Sequence, residues 1–264
     1  MLFFLLPLLL FGLLIRTLKN RIDDILLNEV GQWPYFLFAA IGTPIHEASH
    51  LLTCLIFRHR IKRFNLFFPD KNGRLGYVEH LYDPKSLYQR IGCFFIGLSP
   101  LLGGAALLYL LTRLFYPELP FNGRIALMPR VEDVHGLSFL VPFFKSIREA
   151  FFGFFNPMIH LVRHEALWLK PILFFFLVTA VGSHMFPSRS DFQGMIPGLL
   201  ILSILILLVH LGLYWVGVDF YDLMARSAGA MGFMLNLLFF ISLMLVAVWM
   251  VFLVFRLFRK ILFR

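Results

Sequence analysis

The chain has 264 residues, of which 59% are hydrophobic and only 15% are charged. Soluble domains average about 25% charged residues, and a soluble fold of this length could not bury so much apolar surface. The net charge of +9 comes largely from basic residues beside apolar runs, as expected where bases orient membrane helices and contact anionic headgroups. We therefore expect an integral membrane protein whose partner is the lipid bilayer, with no nucleic-acid binding.

Six apolar runs approach the length of about 20 residues that a membrane-spanning helix requires. They cover residues 2–18, 33–57, 88–115, 171–186, 196–216 and 232–255. The first run is short enough that it could instead lie in the membrane interface. The sequence has no internal repeat and no low-complexity linker. It predicts a single domain, 1–264, that is an all-α polytopic membrane protein of about six transmembrane helices.

Two segments between these runs have their own patterns. In the polar stretch 58–85, Asn72-Gly73 stands between apolar and aromatic flanks, which indicates a small β-hairpin after the second run. Residues 139–155 are apolar but include three charged side chains, a pattern typical of a helix that lies on the membrane surface.

The distribution of Lys and Arg predicts the orientation of the chain in the membrane. In a six-span topology the two sides carry nearly equal numbers of bases, but the densest group directly follows the second run, at positions 58, 60, 62 and 63. Lys and Arg close to the end of a span favour the cytoplasm. We expect the hairpin, and the membrane face to which it belongs, to be cytoplasmic.

The second run contains His46-Glu47-Ala48-Ser49-His50. Residues four apart share one helix face, so His46 and His50 can bind one metal ion, with Glu47 beside them as a general base. A carboxylate costs roughly 3 kcal/mol at mid-bilayer and needs a partner, which a metal provides. The motif predicts a zinc hydrolase site. The alternative is a buried polar cluster that joins helices without a metal.

The remaining candidate ligands have simpler interpretations. Cys54 and Cys93 lie in apolar runs and form no CxxC pair, so neither a disulfide framework nor a thiolate zinc site is indicated. We expect both to be small core residues. Glu79, His80 and Asp83 belong to the polar stretch and are expected to be solvated.

Three stretches together resemble the site-2 protease family of intramembrane zinc metalloproteases. The first is the motif 46–50 in an apolar helix. The second is Gly97-Leu98-Ser99-Pro100-Leu101-Leu102-Gly103, which is similar to the small-residue and proline pattern of that family. The third is the turn 188–194, where Asp191 stands but two residues separate it from Gly194, unlike the family's Asp-Gly pair. The likeness covers about 33–216, the expected catalytic core of a divergent branch.

The resemblance implies one zinc per chain, held by His46, His50 and Asp191, with Glu47 as base. In the six-span topology Asp191 lies on the same membrane face as the end of the motif helix, so an inward-folded turn could bring it to the histidines. Asp191 could instead cap the following helix together with Ser188. His184 is a possible fourth or substitute ligand, or a residue that orients a ligand.

The implied function is zinc-dependent intramembrane endopeptidase activity on membrane-associated protein or peptide substrates. The hairpin edge at Leu75, Gly76, Tyr77 and Val78 could pair with a substrate strand, or it could be a plain connection. Two other functions stay open: a membrane zinc hydrolase of a lipid or small amphiphile, and an inactive scaffold or transporter, against which the intact motif argues.

Overall fold

The computed structural model describes residues 2–71, 74–119, 148, 152, 156, 159–160, 162–163, 168–217 and 220–262. The described chain is mostly helical, as expected. Its helices are α1 (Leu2–Ile25), which continues into a π-helical turn (Leu26–Val30), α2 (Gln32–Ile56), α3 (Leu87–Phe115), α4 (Leu169–His184), α5 (Arg189–Trp215) and α6 (Phe220–Leu262). Two strands, β1 (Arg60–Asn65) and β2 (Tyr77–Leu81), lie between α2 and α3.

Within the described residues, three helical segments are long and apolar enough to cross a membrane: Leu87–Phe115, Arg189–Trp215 and Phe240–Arg259. This is fewer than the six spans expected from the sequence. The apolar helix α4 has only 16 residues, and the polar residues of the 46–50 motif lower the mean hydropathy of α2. The described residues thus contain three helices that could cross a membrane, which is consistent with an integral membrane protein.

The helices pack around one apolar core. It is formed by α1, α3, α4 and α6, which contribute the fully buried residues Ile15, Leu108, Phe174, Val181 and Ile241. α2 packs against α3 and α4, while α5 packs chiefly against α3. The motif helix therefore lies where two other helices can place side chains beside it.

The expected hairpin is present. β1 and β2 form a two-stranded antiparallel sheet in which Arg60 pairs with Leu81 and Asn65 pairs with Tyr77. Two further hydrogen bonds extend the pairing beyond the strands, from the Phe68 N–H to the Leu75 carbonyl oxygen at 2.8 Å and from the Asp70 N–H to the Arg74 carbonyl oxygen at 2.9 Å. The expected Asn72-Gly73 turn and the expected surface helix at 139–155 lie outside the described residues, apart from isolated positions in the latter.

Candidate metal centre

Three ligand-type side chains converge between α2 and the start of α5. The Nε2 atoms of His46 and His50 are 3.2 Å apart, and Asp191 Oδ1 and Oδ2 lie 3.3 Å from His50 Nε2 and 3.5 Å from His46 Nε2. Ligand atoms around a tetrahedral zinc with bonds of 2.0–2.1 Å are separated by about 3.3 Å. The separations of this trio, hereafter the HHD cluster, therefore fit a shared metal ion.

The other ring nitrogen of each histidine is bonded to a backbone carbonyl. His46 Nδ1–H donates to the His184 oxygen at 2.6 Å, and His50 Nδ1–H donates to the Ile96 oxygen at 2.8 Å. A neutral imidazole with a proton on Nδ1 has its lone pair on Nε2. Both Nε2 lone pairs are thus directed at Asp191 and at one another, as metal-binding histidines require.

The two carbonyl groups accept these bonds because the helices do not use them fully. The Ile96 oxygen would normally accept from the N–H four residues later, but that residue is Pro100, which has no N–H. His184 is the last residue of α4, so its carbonyl has no intrahelical donor. Ser99 Oγ–H donates the second bond to the Ile96 oxygen at 2.7 Å. A proline and a helix end therefore select the histidine tautomers.

Small residues of α3 allow this close packing. A Cβ atom on Gly97 would lie 2.8 Å from the Asp191 carbonyl oxygen, and one on Gly103 would lie 2.1 Å from Ser49 Oγ. A side chain at position 97 would force α5 away from α3, because it meets the backbone of α5, and one at position 103 would displace the Ser49 side chain. The glycines of the stretch 97–103 thus allow the helices beside the HHD cluster to pack closely.

Asp191 is both a helix cap and a member of the HHD cluster, so the two interpretations of it are compatible. Its Oδ2 accepts from the Ser188 N–H at 2.6 Å, and its own N–H donates to Ser188 Oγ at 3.3 Å. This reciprocal capping box fixes the carboxylate at the positive end of α5. Capping orients the group that faces the histidines.

The ring of His184 is not among the clustered ligand atoms of the described residues. Its Nδ1–H donates back to the Ala180 carbonyl oxygen at 3.0 Å. The residue contributes to the site through its backbone oxygen, which orients His46.

Glu47 is only 8% exposed, and the hairpin lies against it. A Cβ atom on Gly76 would be 2.7 Å from Glu47 Cγ, so only glycine permits this approach. Of the expected substrate-strand edge, Tyr77 and Val78 belong to β2, while Leu75 and Gly76 precede it. The edge and the proposed base are thus neighbours in space.

A second group of ligand-type atoms was missed by the sequence reasoning. Cys54, His59 and His80 have ligand atoms within 4.8 Å of one another; we call them the CHH cluster. His80 is not a solvated loop residue as expected, because it is half-buried against His59. Burial lowers the pKa of His59, and burial together with His59 lowers the pKa of His80 to about 4. The signal was weak because the three residues match no spacing motif.

The HHD cluster offers two imidazoles, one carboxylate and an adjacent buried glutamate. Hydrolytic zinc sites use this set of groups. A calcium site would need more oxygen ligands than this cluster offers. No family model, curated protein or solved structure matches this chain.

Proposed function

We propose that this protein is a zinc-dependent intramembrane endopeptidase of the kind that the site-2 protease resemblance implies. The observation that carries the proposal is the HHD cluster: three ligand atoms at zinc-like separations, with Glu47 next to His46 on a helix packed among apolar helices. An inactive scaffold would have no use for a buried Glu47 at this position.

Zinc is the metal that the donor set favours. Two histidine nitrogens and one carboxylate oxygen are the ligands of many catalytic zinc sites, which keep the fourth position open for water or substrate. The bonds from His46 and His50 to backbone carbonyls support this assignment, since such bonds orient metal-ligating histidines and raise their basicity.

The chemistry divides between the metal and the chain. A zinc ion held by His46, His50 and Asp191 would supply Lewis acidity, which lowers the pKa of water to around 7. Glu47 would act as the base that accepts a proton from the attacking water and would deliver it to the leaving amine of the cleaved peptide bond. Asp191 offsets part of the zinc charge in a site where little water is available.

The position of the hairpin favours a peptide over a lipid substrate. Among the described residues β1 and β2 form a two-stranded sheet, in which each strand has one edge without a strand partner. The segment from Gly76 into β2 begins against Glu47. A substrate segment that pairs with this edge would carry its backbone past the base. A lipid would have no use for a strand edge beside Glu47.

The proposal includes six spans, with α1, α2 and α4 crossing the bilayer in company with the more apolar helices, and the hairpin on the cytoplasmic side. A single cysteine at Lys71, in a chain without Cys54 and Cys93, should be labelled by membrane-impermeant maleimide only after the cytoplasmic face is opened. Labelling from outside intact cells would reverse the orientation.

Proteomic comparison of membranes that contain wild-type protein or Glu47→Gln tests the activity. Membrane proteins that are cleaved in the first and intact in the second are the candidate substrates, and each is then incubated with purified enzyme. General-base catalysis contributes about 10²–10⁴-fold, so Glu47→Gln should lose that much activity while it keeps its zinc.

The matched control is Glu118→Gln, which changes an exposed glutamate outside the helices and the hairpin. This variant should cleave as the wild type does. Equal cleavage by wild type and Glu47→Gln would refute the assigned base. If lipids rather than protein fragments differ between the two membranes, the lipid-hydrolase alternative replaces the peptidase.

A further inference from the structure

The end of α2 brings two ligand-type residues together. Arg58 has a φ of 56°, the left-handed conformation that closes a helix in the Schellman motif. The His59 N–H donates to the Cys54 oxygen at 2.9 Å, and the Arg58 N–H donates to the Leu55 oxygen at 3.1 Å. In this motif the side chains at the positions of Cys54 and His59 are normally in contact. Here the two positions hold a thiol and an imidazole in place of the usual apolar pair.

The hairpin supplies the third residue. In the register of the sheet, His80 of β2 pairs with Ile61 of β1, which is two residues beyond His59. This places His80 Nδ1 3.0 Å from His59 Nδ1. Cys54 is fully buried and His59 is 4% exposed, so the group is enclosed.

In His59, as in His46 and His50, one ring nitrogen donates to a backbone carbonyl oxygen and the other keeps its lone pair. Its Nε2–H donates to the Gln89 carbonyl oxygen at 2.8 Å, which leaves the Nδ1 lone pair directed at His80. The separation of 3.0 Å between the Nδ1 atoms resembles the 3.2 Å between His46 and His50. Both are close to the nitrogen–nitrogen distance of about 3.3 Å around a tetrahedral metal ion.

We propose that Cys54, His59 and His80 bind a second zinc ion. A thiolate with two imidazoles is a donor set that zinc accepts, with Zn–S of about 2.3 Å and Zn–N of 2.0–2.1 Å. Three protein ligands would leave the fourth position of a tetrahedral zinc to a water molecule or another donor. Expected metal content rises from one zinc per chain to two.

The second site fastens the hairpin to the motif helix. Cys54 lies in the last turn of α2, His59 follows that helix, and His80 belongs to β2, the strand that begins directly after Gly76. Metal binding at this point closes the loop from His59 to His80 and so stabilises the contact of Gly76 with Glu47. The site stands on its own geometry and does not depend on the protease proposal.

Cobalt distinguishes the two sites, because only the CHH cluster contains sulfur. Full-length protein purified in detergent, stripped with chelator and reloaded with Co²⁺, should show a near-ultraviolet thiolate-to-cobalt charge-transfer band. The band should vanish in Cys54→Ser and weaken strongly in His80→Ala, yet persist in His46→Ala. Zinc-loaded protein should contain two zinc ions per chain, and one in Cys54→Ser and in His46→Ala.

Cys93→Ser is the matched control, since Cys93 is also a buried cysteine but lies outside the CHH cluster. Circular dichroism establishes that each variant keeps its helices. If Cys54→Ser does not fold, His80→Ala decides the matter, because His80 is only half-buried. A wild type that binds cobalt without the band, or a band that survives in Cys54→Ser, overturns the second site. In that case the contact of 3.0 Å between His59 and His80 is an ordinary hydrogen bond.

Discussion

The HHD and CHH clusters have similar distances but are assembled in different ways. In the first, His46 and His50 come from one helix turn, and their partner Asp191 is separated from them by more than half of the chain. In the second, the helix cap of α2 and the adjacent hairpin supply every residue from positions 54–80. Each places two imidazole nitrogens about 3 Å apart, at 3.2 and 3.0 Å.

The difference shows what each cluster depends on. The HHD cluster exists only if α3, α4 and α5 pack correctly, because carbonyl groups of α3 and α4 orient its histidines and α5 supplies its carboxylate. The CHH cluster requires a helix end, a short sheet and the Gln89 carbonyl oxygen in the first turn of α3, which orients His59. Changes at the contacts of α4 and α5 should therefore affect the first cluster and leave the second intact.

Removal of the Asp191 carboxylate should produce the largest difference in metal affinity between the HHD and CHH clusters. Asp191→Ala leaves two histidines without their anionic partner. The affinity of the HHD cluster for zinc should therefore fall by about 100-fold or more, since loss of a group that only orients a ligand already costs about 10–100-fold. His184→Ala should lose far less, because its backbone oxygen remains to orient His46. Competition with a chromophoric chelator measures both affinities.

Ser188→Ala separates capping from metal binding at Asp191. It removes the Ser188 hydroxyl but keeps the carboxylate, so it should cost about 1 kcal/mol of stability while zinc is retained. Equal loss of zinc in Ser188→Ala and Asp191→Ala would mean that Asp191 acts only through the helix cap.

Pro100→Ala should weaken the HHD cluster by about 10–100-fold in zinc affinity, the range for groups that orient metal ligands. The new N–H at position 100 would compete with His50 for the Ile96 oxygen. The cobalt–thiolate band of the CHH cluster should not change. Pro197→Ala, in α5, is the control, and a zinc affinity that falls equally in both variants would rule out the specific role of Pro100.

Gly76→Ala should reduce cleavage by roughly tenfold, a change of about 1.4 kcal/mol in the barrier. The added Cβ would meet Glu47 Cγ at 2.7 Å and push the hairpin off the base, whereas one on Gly194 would meet nothing within 4 Å. Gly194→Ala should therefore be harmless. Zinc content should stay the same in both variants, so unchanged cleavage by Gly76→Ala would remove the hairpin from the catalytic model.

The smallest effect is expected at the cap of α2. Arg58 is a non-glycine residue at a positive φ, so Arg58→Gly should stabilise the protein by up to about 1 kcal/mol through relief of backbone strain. Thermal unfolding in detergent measures this change. Arg60→Gly, in β1, should destabilise instead, and a loss of stability in Arg58→Gly would show that the arginine side chain itself contributes.

Several features followed from the sequence alone. The high apolar content predicted a helical membrane protein, Asn72-Gly73 predicted the hairpin, and the spacing of His46 and His50 predicted that they share a helix face. Each of these features depends on composition or on residues that are close together in the chain. Sequence patterns predict such features reliably. Of the six expected spans, three are long and apolar enough among the described residues to cross a membrane. Run length alone does not account for the polar residues within α2 or for the shortness of α4.

Composition and local spacing thus predicted a membrane protein, its main helices and its hairpin. They also predicted that His46 and His50 share one helix face. Tertiary structure decided which groups surround that pair: Asp191 beside it, the carbonyl groups of Ile96 and His184 behind it, and Gly76 over Glu47. It also decided that His80 meets His59 and Cys54, since strand register and the backbone turn at Arg58 set that encounter. Contacts between distant segments depend on how helices pack and strands align, and no spacing along the chain encodes them.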